Sequence, residues 1–175
     1  MTRRVGILGG GQLARMMALA GLPLGLRFSL LDPAPDACAG QLAPLRAADW
    51  NDAQALAAFA ESIDIATFDF ENVPAASLDV LAARVPAWPG RDALATAQDR
   101  LVEKTRFNAL GIPTPGFMAV DDRAGLDAAA RALGLPAILK TRRLGYDGKG
   151  QFRIRGEADL DAAWAALGEQ APRVG

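Results

Sequence analysis

A glycine turn close to the amino terminus is the first stretch whose residue types and spacing could do chemistry. Residues 9–14 read Gly-Gly-Gly-Gln-Leu-Ala and fit the pattern G-x-G-x-x-A, in which small residues allow a tight turn and the close approach of a phosphate. Asp32 comes at the end of the next apolar run, where an acid that binds a ribose would lie. Three interpretations stay open for this turn: a dinucleotide site, a site for another phosphorylated ligand, and a tight turn with a structural role only.

A second glycine-rich segment, further along the chain, carries several cations. In ILKTRRLGYDGKGQFRIR, two β-prone runs flank a loop that is longer than the roughly two to five residues of an ordinary hairpin. Glycine amides approach phosphates closely and lysines act as positive charges, so we expect a lid over a polyphosphate, with Lys140 at the strand end. The alternative is a solvated basic turn. The loop contains Arg142, Arg143, Gly145, Gly148, Lys149 and Gly150.

Tyr146 favours the ligand-binding interpretation of this loop. It is the single tyrosine of the chain, and it lies beside Asp147 in the loop rather than on an apolar face. A hydrogen-bonding or stacking role is therefore expected for it.

A third segment, ATFDFENVP, ends an apolar run with acids. If the run is a strand of a parallel sheet, Glu71 lies at the carboxyl edge, where open α/β sheets bind ligands. A carboxylate there could accept hydrogen bonds from an amine or hydroxyl of a small substrate. Alternatively, Glu71 or Asn72 caps a helix that starts at Pro74. Capping favours Asn72, which would leave Glu71 to the substrate.

The composition limits the chemistry available to the chain. Its 175 residues include one cysteine, Cys38, and no histidine, which excludes an internal disulfide, multi-thiolate metal sites and His-based triads. The net charge is −1, so there is no polybasic field for nucleic acid. No apolar run is long enough for a bilayer span or a signal peptide. We expect a cytoplasmic protein without nucleic-acid or membrane partners.

Strands and helices alternate along the chain, which predicts an α/β fold with a mostly parallel sheet and helices on its faces. The Pro- and Gly-rich stretch at 86–90 indicates a boundary, and we place the domains at 1–92 and 93–175. No closing strand is evident after EQAPRVG. The predicted strands cover 4–8, 27–31, IDIATFDF, 117–120, 137–140 and 151–155, and the predicted helices cover 12–22, a region from 52 to 60, 93–110, 123–133 and 158–167.

In combination, these segments resemble the ATP-grasp 5-(carboxyamino)imidazole ribonucleotide synthases of purine biosynthesis. The resemblance covers nearly the whole chain and rests on GILGGGQLARMM, TFDFENVP, QDRLVEKTRFNALGIPTP and ILKTRRLGYDGKGQ, whose order and spacing are specific together. It implies a Rossmann-like preATP-grasp domain with a parallel sheet, followed by the first, incomplete part of an ATP-grasp domain. ATP is then held between two subdomains.

The resemblance also implies roles for individual residues. Glu71, Tyr146 and Lys149 are the implied catalytic residues near the imidazole ribonucleotide, and the implied substrate pocket consists of Gly11, Gln12, Leu13 and Glu71. Lys104 is a weaker candidate, because a helical lysine usually lies on a solvated face. The implied ATP-binding residues are Arg100, Lys140, Gly145, Tyr146, Asp147, Gly148, Lys149, Gly150 and Gln151.

The implied reaction is ATP- and bicarbonate-dependent carboxylation of 5-aminoimidazole ribonucleotide. Bicarbonate attacks the γ-phosphate, and the carboxyphosphate formed carboxylates the exocyclic amine, directly or through carbon dioxide. The family continues with an adenine-contacting hinge and acidic Mg²⁺ ligands, so we assign no metal ligand here. We expect an amino-terminal part that is inactive alone and homodimeric at full length. The alternatives are a formate-dependent ATP-grasp ligase of purine biosynthesis, an NAD(P)-dependent oxidoreductase and a non-enzymatic phosphate-binding module.

Overall fold

The computed structural model describes residues 2–145, 148–167 and 173–174. It divides the chain into two compact units, Met1–Ala95 and Thr96–Gly175. Within the described residues, no helix has both the length and the apolar character that a membrane span requires.

The first unit contains a four-stranded parallel sheet in the order β3-β2-β1-β4. The central pair aligns Arg4 with Arg27 and Leu8 with Leu31, so that β1 and β2 end at the same edge. On the other side of β1, Leu8 pairs with Phe68. The strands are β1 (Arg4–Leu8), β2 (Arg27–Asp32), β3 (Leu45–Ala47) and β4 (Ile65–Phe68).

Helices cover both faces of this sheet, because successive residues of each strand point to opposite faces and both sets are apolar. Ile7 and Leu30 pack with Ala14 and Ala18 of α1 in one core cluster. Leu8 and Leu31 pack on the other face with apolar residues of α2 and α3. The helices are α1 (Gln12–Gly21), α2 (Ala53–Ala60), α3 (Ala75–Ala82) and α4 (Arg91–Ala97), the last of which crosses the boundary between the units.

The second unit contains an antiparallel sheet in the order β5-β8-β6-β7. In the β6–β7 pair, Leu139 lies opposite Phe152 and Lys140 opposite Gln151. Leu139 is buried in a core with residues of α6 and α7. The elements are α5 (Arg100–Ala109), β5 (Ala119–Val120), α6 (Arg123–Leu133), β6 (Ala137–Thr141), β7 (Gln151–Ile154), α7 (Leu160–Leu167) and β8 (Arg173–Val174).

The structure corrects the sequence-based expectations in several places. β3 and β8, of three and two residues, were not predicted, and the helical run from 93 to 110 is two helices separated at residues 98–99. The alternative that Asn72 or Glu71 is the N-cap residue of α3 is wrong: Pro74 is the N-cap residue, and it makes no side-chain capping hydrogen bond. By contrast, the predicted helix in the region from 52 to 60 is present as α2, and Asp52 caps it, because its carboxylate accepts hydrogen bonds from the amides of Gln54 and Ala55.

Candidate functional site

The glycine turn lies at the carboxyl edge of the first unit's parallel sheet, between β1 and α1. Gly9 has a φ of +104°, in the left-handed region that side chains rarely adopt. Its amide donates to the carbonyl of Leu31 at 2.9 Å. A Cβ at Gly9 would lie 1.7 Å from Oδ1 of Asp69, so only glycine fits.

Two carboxylates bind the backbone amides of this turn. Oδ2 of Asp32 accepts a hydrogen bond from the amide of Gly10 at 2.8 Å, and Oδ1 accepts from the amide of Ala34 at 2.8 Å. Oδ2 of Asp69 accepts from the amide of Gly11 at 3.0 Å. The amides of Gly10 and Gly11, which the sequence pattern offers to a phosphate, are therefore occupied by acids of the chain itself.

Asp69 is an unusual carboxylate in this part of the molecule. Its Oδ1 is buried and has no hydrogen-bond partner among the described residues. Burial raises the pKa of Asp69, and the negative charge of Asp32 raises it further, against the hydrogen bonds from the backbone that lower it. This combination favours the protonated acid more than at an exposed aspartate.

The other predicted substrate residues lie around the same turn. Gln12 and Leu13 begin α1, and both are exposed, with 56% of Leu13 accessible. The thiol of Cys38 donates a hydrogen bond to Oε1 of Gln12 at 3.6 Å. Glu71 is half-buried, three residues beyond the end of β4. The structure thus places Gly11, Gln12 and Leu13 together at the start of α1, and Glu71 just after the neighbouring strand of the sheet.

In the second unit, a buried ion pair joins the start of α5 to the end of β6. Asp99, which is 5% exposed, caps α5 by accepting hydrogen bonds from the amides of Leu101 and Val102. Arg142 donates to both carboxylate oxygens of Asp99, at 3.0 and 2.6 Å. Burial alone would raise the pKa of Asp99, but these hydrogen bonds with Arg142 and the helix amides bring it below its usual value.

Arg100 holds the first part of the basic loop. Its guanidinium donates to the carbonyl of Thr141 at 2.8 Å and to that of Gly145 at 2.6 Å, and its amide donates to the carbonyl of Arg142 at 3.0 Å. A Cβ at Gly145 would come within 3.0 Å of both terminal guanidinium nitrogens. Arg100 and Arg142 therefore shape the loop from within.

Lys140 and Lys104 supply positive charge beside this loop. Nζ of Lys104 lies 5.2 Å from the centre of the Phe117 ring, a cation–π contact. Burial lowers the pKa of Lys104, and the positive charge of nearby Lys140 lowers it further. Two like charges brought together on a partly buried surface would be stabilised by an anion.

The remaining predicted residues lie in or beside the loop. Gly148 and Gly150 have φ values of +80° and +67°, and Lys149 between them is exposed. Gln151 begins β7 opposite Lys140. Tyr146 and Asp147, for which catalytic and ATP-binding roles were predicted, lie outside the described residues.

Sequence reasoning missed the structural roles of Asp69, Asp99 and Arg142. Asp99 precedes a helix, as a capping residue does, so its cap could have been found from sequence. Its pairing with Arg142 and the contact of Asp69 with Gly11 span 43 and 58 residues and left no local signal.

The described residues do not fit a Mg²⁺ site, because no three acidic, histidine or cysteine side chains among them come together as metal ligands would. Asp32 and Asp69 are near neighbours, but each carboxylate already binds backbone amides. No residue of the described part of the chain is therefore assigned to the metal.

Comparison with known protein families assigns the two parts of the chain to two different domain families. Residues 1–98 match the ribonucleotide synthetase preATP-grasp domain, and residues 105–174 match the ATP-grasp domain. The chain belongs to the ribonucleotide synthetase preATP-grasp family. Its preATP-grasp part carries the glycine turn, and its ATP-grasp part carries Lys140 and the basic loop.

Several individual proteins and solved structures that resemble this chain are ribonucleotide synthases by name. An N5-carboxyaminoimidazole ribonucleotide synthase of Pseudomonas aeruginosa is 53% identical over 165 residues, covering 94% of this chain and 46% of the relative. The crystal structure of the synthetase from Thermus thermophilus is 48% identical, with a TM-score of 0.87 over 97% of this chain and 46% of that one. An Aspergillus clavatus synthase in complex with ADP and 5-aminoimidazole ribonucleotide is 27% identical, with a TM-score of 0.85 over 99% and 46%. The chain thus spans about half the length of these relatives.

Proposed function

We propose that this chain takes part in the ATP- and bicarbonate-dependent carboxylation of 5-aminoimidazole ribonucleotide to 5-(carboxyamino)imidazole ribonucleotide. In this proposal the preATP-grasp part binds the ribonucleotide and the ATP-grasp part binds the phosphates of ATP. One observation carries the proposal: in the segment that matches an ATP-grasp domain, Lys140 lies at the end of β6, next to a glycine-rich basic loop that the guanidinium of Arg100 holds in place.

The ATP-binding role rests on the charge and shape of this surface. Strand pairing holds the backbone of Lys140 at the end of β6, from where its side chain can bring a positive charge to a phosphate oxygen. Arg100 acts on ATP through the loop that it orders, because its guanidinium already donates to two loop carbonyls. Gly145, Gly148, Lys149, Gly150 and Gln151, with Tyr146 and Asp147, complete the proposed ATP contacts.

The ribonucleotide role rests on the carboxyl edge of the parallel sheet. Gly11, Gln12 and Leu13 at the start of α1 and Glu71 after β4 would contact the substrate there, the Glu71 carboxylate as an acceptor for its amine or hydroxyl hydrogens. Tyr146 and Lys149 are the other proposed catalytic residues. The relative from Aspergillus clavatus, solved with ADP and 5-aminoimidazole ribonucleotide, supports both ligand classes.

The proposed reaction transfers a carboxyl group through a phosphorylated intermediate. A bicarbonate oxygen attacks the γ-phosphorus, the bond to ADP breaks, and carboxyphosphate forms. The exocyclic amine then attacks the carboxyl carbon, directly or after release of carbon dioxide; phosphate leaves and the amine loses a proton. Positioning and cationic stabilisation of phosphoryl oxygens supply the acceleration. Mg²⁺, when bound, would neutralise phosphate charge, and no residue described here is assigned to that role.

A chimera tests the proposal, because the chain spans about half of its relatives' length. The 175 residues are joined to the remaining carboxyl-terminal part of the Pseudomonas aeruginosa relative, and ATP- and bicarbonate-dependent loss of 5-aminoimidazole ribonucleotide is measured. We expect turnover by the chimera and none by the 175 residues alone. Formate dependence, or nicotinamide reduction, would replace the proposal with one of the alternatives.

Two variants of the chimera sharpen this test. Lys140→Ala should lower kcat/KM for ATP about 100-fold, as expected for the loss of a charge that contacts phosphate. Arg131→Ala, which removes an exposed cation from the last turn of α6, is the matched control and should leave the rate unchanged. Equal rates for the two variants would remove Lys140 from the ATP site. Homodimer formation stays a prediction, to be checked by light scattering on the same chimera.

A further inference from the structure

A cavity lies at the amino edge of the first unit's parallel sheet, where β1 and β2 begin. Its volume is about 870 Å³, in the range of pockets that hold small organic molecules. The glycine turn lies at the other end of the strands, separated from this cavity by the length of β1, about 13 Å. The described residues that line the cavity include none that the proposed function uses, so a ligand bound here would be separate from the substrates of that function.

The cavity opens because the pairing of β2 with β3 begins only at Leu30. The amide of Leu30 donates to the carbonyl of Pro44 at 2.9 Å, on the β3 side of β2. Alternate residues of a strand turn their peptide groups to the same side, so the amide and carbonyl of Phe28 face this side too. In the same register the Phe28 carbonyl would need a donor from residue 44, but a proline has no N–H. The ladder therefore does not extend to Phe28.

Phe28 is left with peptide groups that no strand pairs on this side. Its amide would meet the carbonyl of Leu42 if the ladder continued, but Leu42 ends a short helical turn (Cys38–Gln41) instead. Outside the strand ladders, no backbone hydrogen bond from the described residues reaches the amide of Phe28. Phe28 is 7% exposed, and a peptide amide in such a place ordinarily binds water or a ligand. One unpaired residue is too short for an added strand, which favours a small molecule over a peptide.

Three arginines bring positive charge to this cavity. Arg4, Arg27 and Arg46 are among its lining residues, and none of the described residues that line it is an acid. Within the described part of the chain, none of the three forms an ion pair with a carboxylate. Two acids, Glu61 and Asp64, line an adjacent cavity, and the Asp64 carboxylate accepts from the backbone amide of Arg4 at 2.7 Å. The cavity itself therefore favours a ligand with negative charge.

We propose that this cavity binds a small organic anion, whose carboxylate or phosphate group contacts the arginines and the Phe28 amide while its apolar part packs on the walls. Guanidinium groups and a peptide amide are hydrogen-bond donors, so they select an acceptor, and charge-assisted bonds of this kind are the strong ones. The Phe28 carbonyl is left to a hydroxyl group or to water. The apolar lining residues are Leu22, Leu26, Phe28, Leu42, Leu45 and Phe59.

The first test titrates the 175-residue chain with hexanoate, hexyl phosphate and 1-hexanol while amide NMR signals are followed. At least one of the two anions should shift the Phe28 signal and slow the hydrogen exchange of this amide. That anion should bind at least about tenfold more tightly than 1-hexanol, because hydrogen bonds to a charged group add to the apolar contact. The tighter of the two anions identifies the preferred charged group. Equal binding of 1-hexanol, no binding of either anion, or shifts confined to the glycine turn would each overturn the proposal.

Inorganic phosphate separates a ligand cavity from a merely cationic surface. Hexyl phosphate should bind at least about tenfold more tightly than inorganic phosphate, because only the ester has an apolar chain to bury. Hexanoate should likewise bind more tightly than acetate. Equal affinities within these pairs would mean that exposed arginines attract any anion, and the proposal would fall.

Arginine variants test the charge directly. Arg27→Ala and Arg46→Ala each remove an exposed cation, and each should weaken binding of the preferred anion at least about tenfold without changing that of 1-hexanol. Arg131→Ala, an exposed arginine of the second unit, is the matched control and should bind as the wild type does. Arg4 is kept, because its guanidinium donates to the carbonyl of Ser62 at 2.9 Å and so supports the fold. Wild-type affinity in both variants would overturn the proposal, and the wild-type titrations decide it if a variant does not fold.

Discussion

Both glycine-rich segments of this chain are bound by charged side chains of the chain itself, but the charges are of opposite sign. In the first unit, the turn at residues 9–11 has its amides bound by two carboxylates, Asp32 and Asp69. In the second unit, the carbonyls of Thr141 and Gly145 are bound by the guanidinium of Arg100. Carboxylates therefore hold the first segment by its backbone amides, and an arginine holds the second segment by its backbone carbonyls.

This difference separates two meanings of a glycine-rich sequence. At Gly9 the glycine is required because a carboxyl group of the chain itself lies against the backbone. Beside the second segment, Lys104 and Lys140 add positive charge, while Arg100 and Arg142 bind oxygen atoms of the chain itself. The phosphate-binding interpretation is thus better supported where cations surround the glycines than where the glycine pattern itself is stronger.

The sharpest way to break the comparison is to add a methyl group at Gly9. Gly9→Ala combines a left-handed backbone with an overlap on Asp69, and we expect the free energy of unfolding to fall by about 3 kcal/mol. The control is Gly25→Ala, where φ is +80° but no atom lies near the added carbon, so that about 1 kcal/mol is expected. Urea unfolding followed by circular dichroism gives both values. Similar losses in the two variants would mean that Asp69 does not fill the space at Gly9.

The ion pair of the second unit should give the next largest effect. Asp99→Ala removes the α5 cap and leaves Arg142 without its partner, so we expect a loss of about 2 to 3 kcal/mol in unfolding free energy. Asp99→Asn keeps an acceptor for the cap and should lose less. Guanidinium unfolding measures both, and equal losses would contradict a separate contribution from the retained cap.

The pH dependence of the same ion pair has a definite sign. The pKa of Asp99 is lowered below its ordinary value of 3.8 by Arg142 and the helix amides, which outweigh burial. Its contribution to stability is therefore present above pH 3.8 and lost as the pH falls through the lowered value. The wild type should approach the stability of Asp99→Asn only in that acidic range. A gap that stays constant through that acidic range would contradict the role of the charge.

Much of the fold follows from the sequence, because long periodic segments carry their own signal. The strand β1, the glycine turn and α1 follow directly from a short apolar run, three glycines and a one-sided helical pattern. β3 and β8 are too short for any alternation, and only pairing with their neighbours defines them. IDIATFDF was read as one strand, but β4 ends at Phe68, before Asp69 contacts the glycine turn.

The sequence indicates the candidate site residues by their types, but it does not predict which groups they contact. The sequence pattern places Asp32 where an acid would bind a ribose, whereas in the structure its carboxylate accepts hydrogen bonds from two backbone amides. The sequence places Arg142 among the cations of the loop, while its guanidinium is bound to Asp99. Such pairings depend on how distant segments meet, and no local spacing encodes them.

The basic loop offers a comparison between two of its own glycines. Gly150→Ala would place a Cβ 2.5 Å from the hydroxyl of Thr141, in addition to the left-handed φ, and should lower the unfolding free energy by about 2 kcal/mol. Gly148→Ala has a φ of +80° with its nearest neighbour at 3.6 Å, and about 1 kcal/mol is expected. Thermal unfolding of both variants checks the order. A larger loss at Gly148 would show that the loop is not closed by the contact of Gly150 with Thr141.

The smallest effect concerns the charge on Asp69 and is read from its pH dependence. Burial, with help from the charge of Asp32, raises the pKa of Asp69 above its ordinary value of 3.8. The native state then holds a proton that the unfolded chain has lost, so the stabilisation is fully present below pH 3.8 and is lost as the pH rises through the raised value. Asp69→Asn keeps the acceptor for Gly11 without this titration, so the wild type should lose stability relative to this variant as the pH increases. Urea midpoints across this range measure the difference, with Asp36→Asn, an exposed aspartate, as the control. A wild type that gains stability relative to Asp69→Asn over the same range would mean that the carboxylate, held by the glycine amides, is the favoured form.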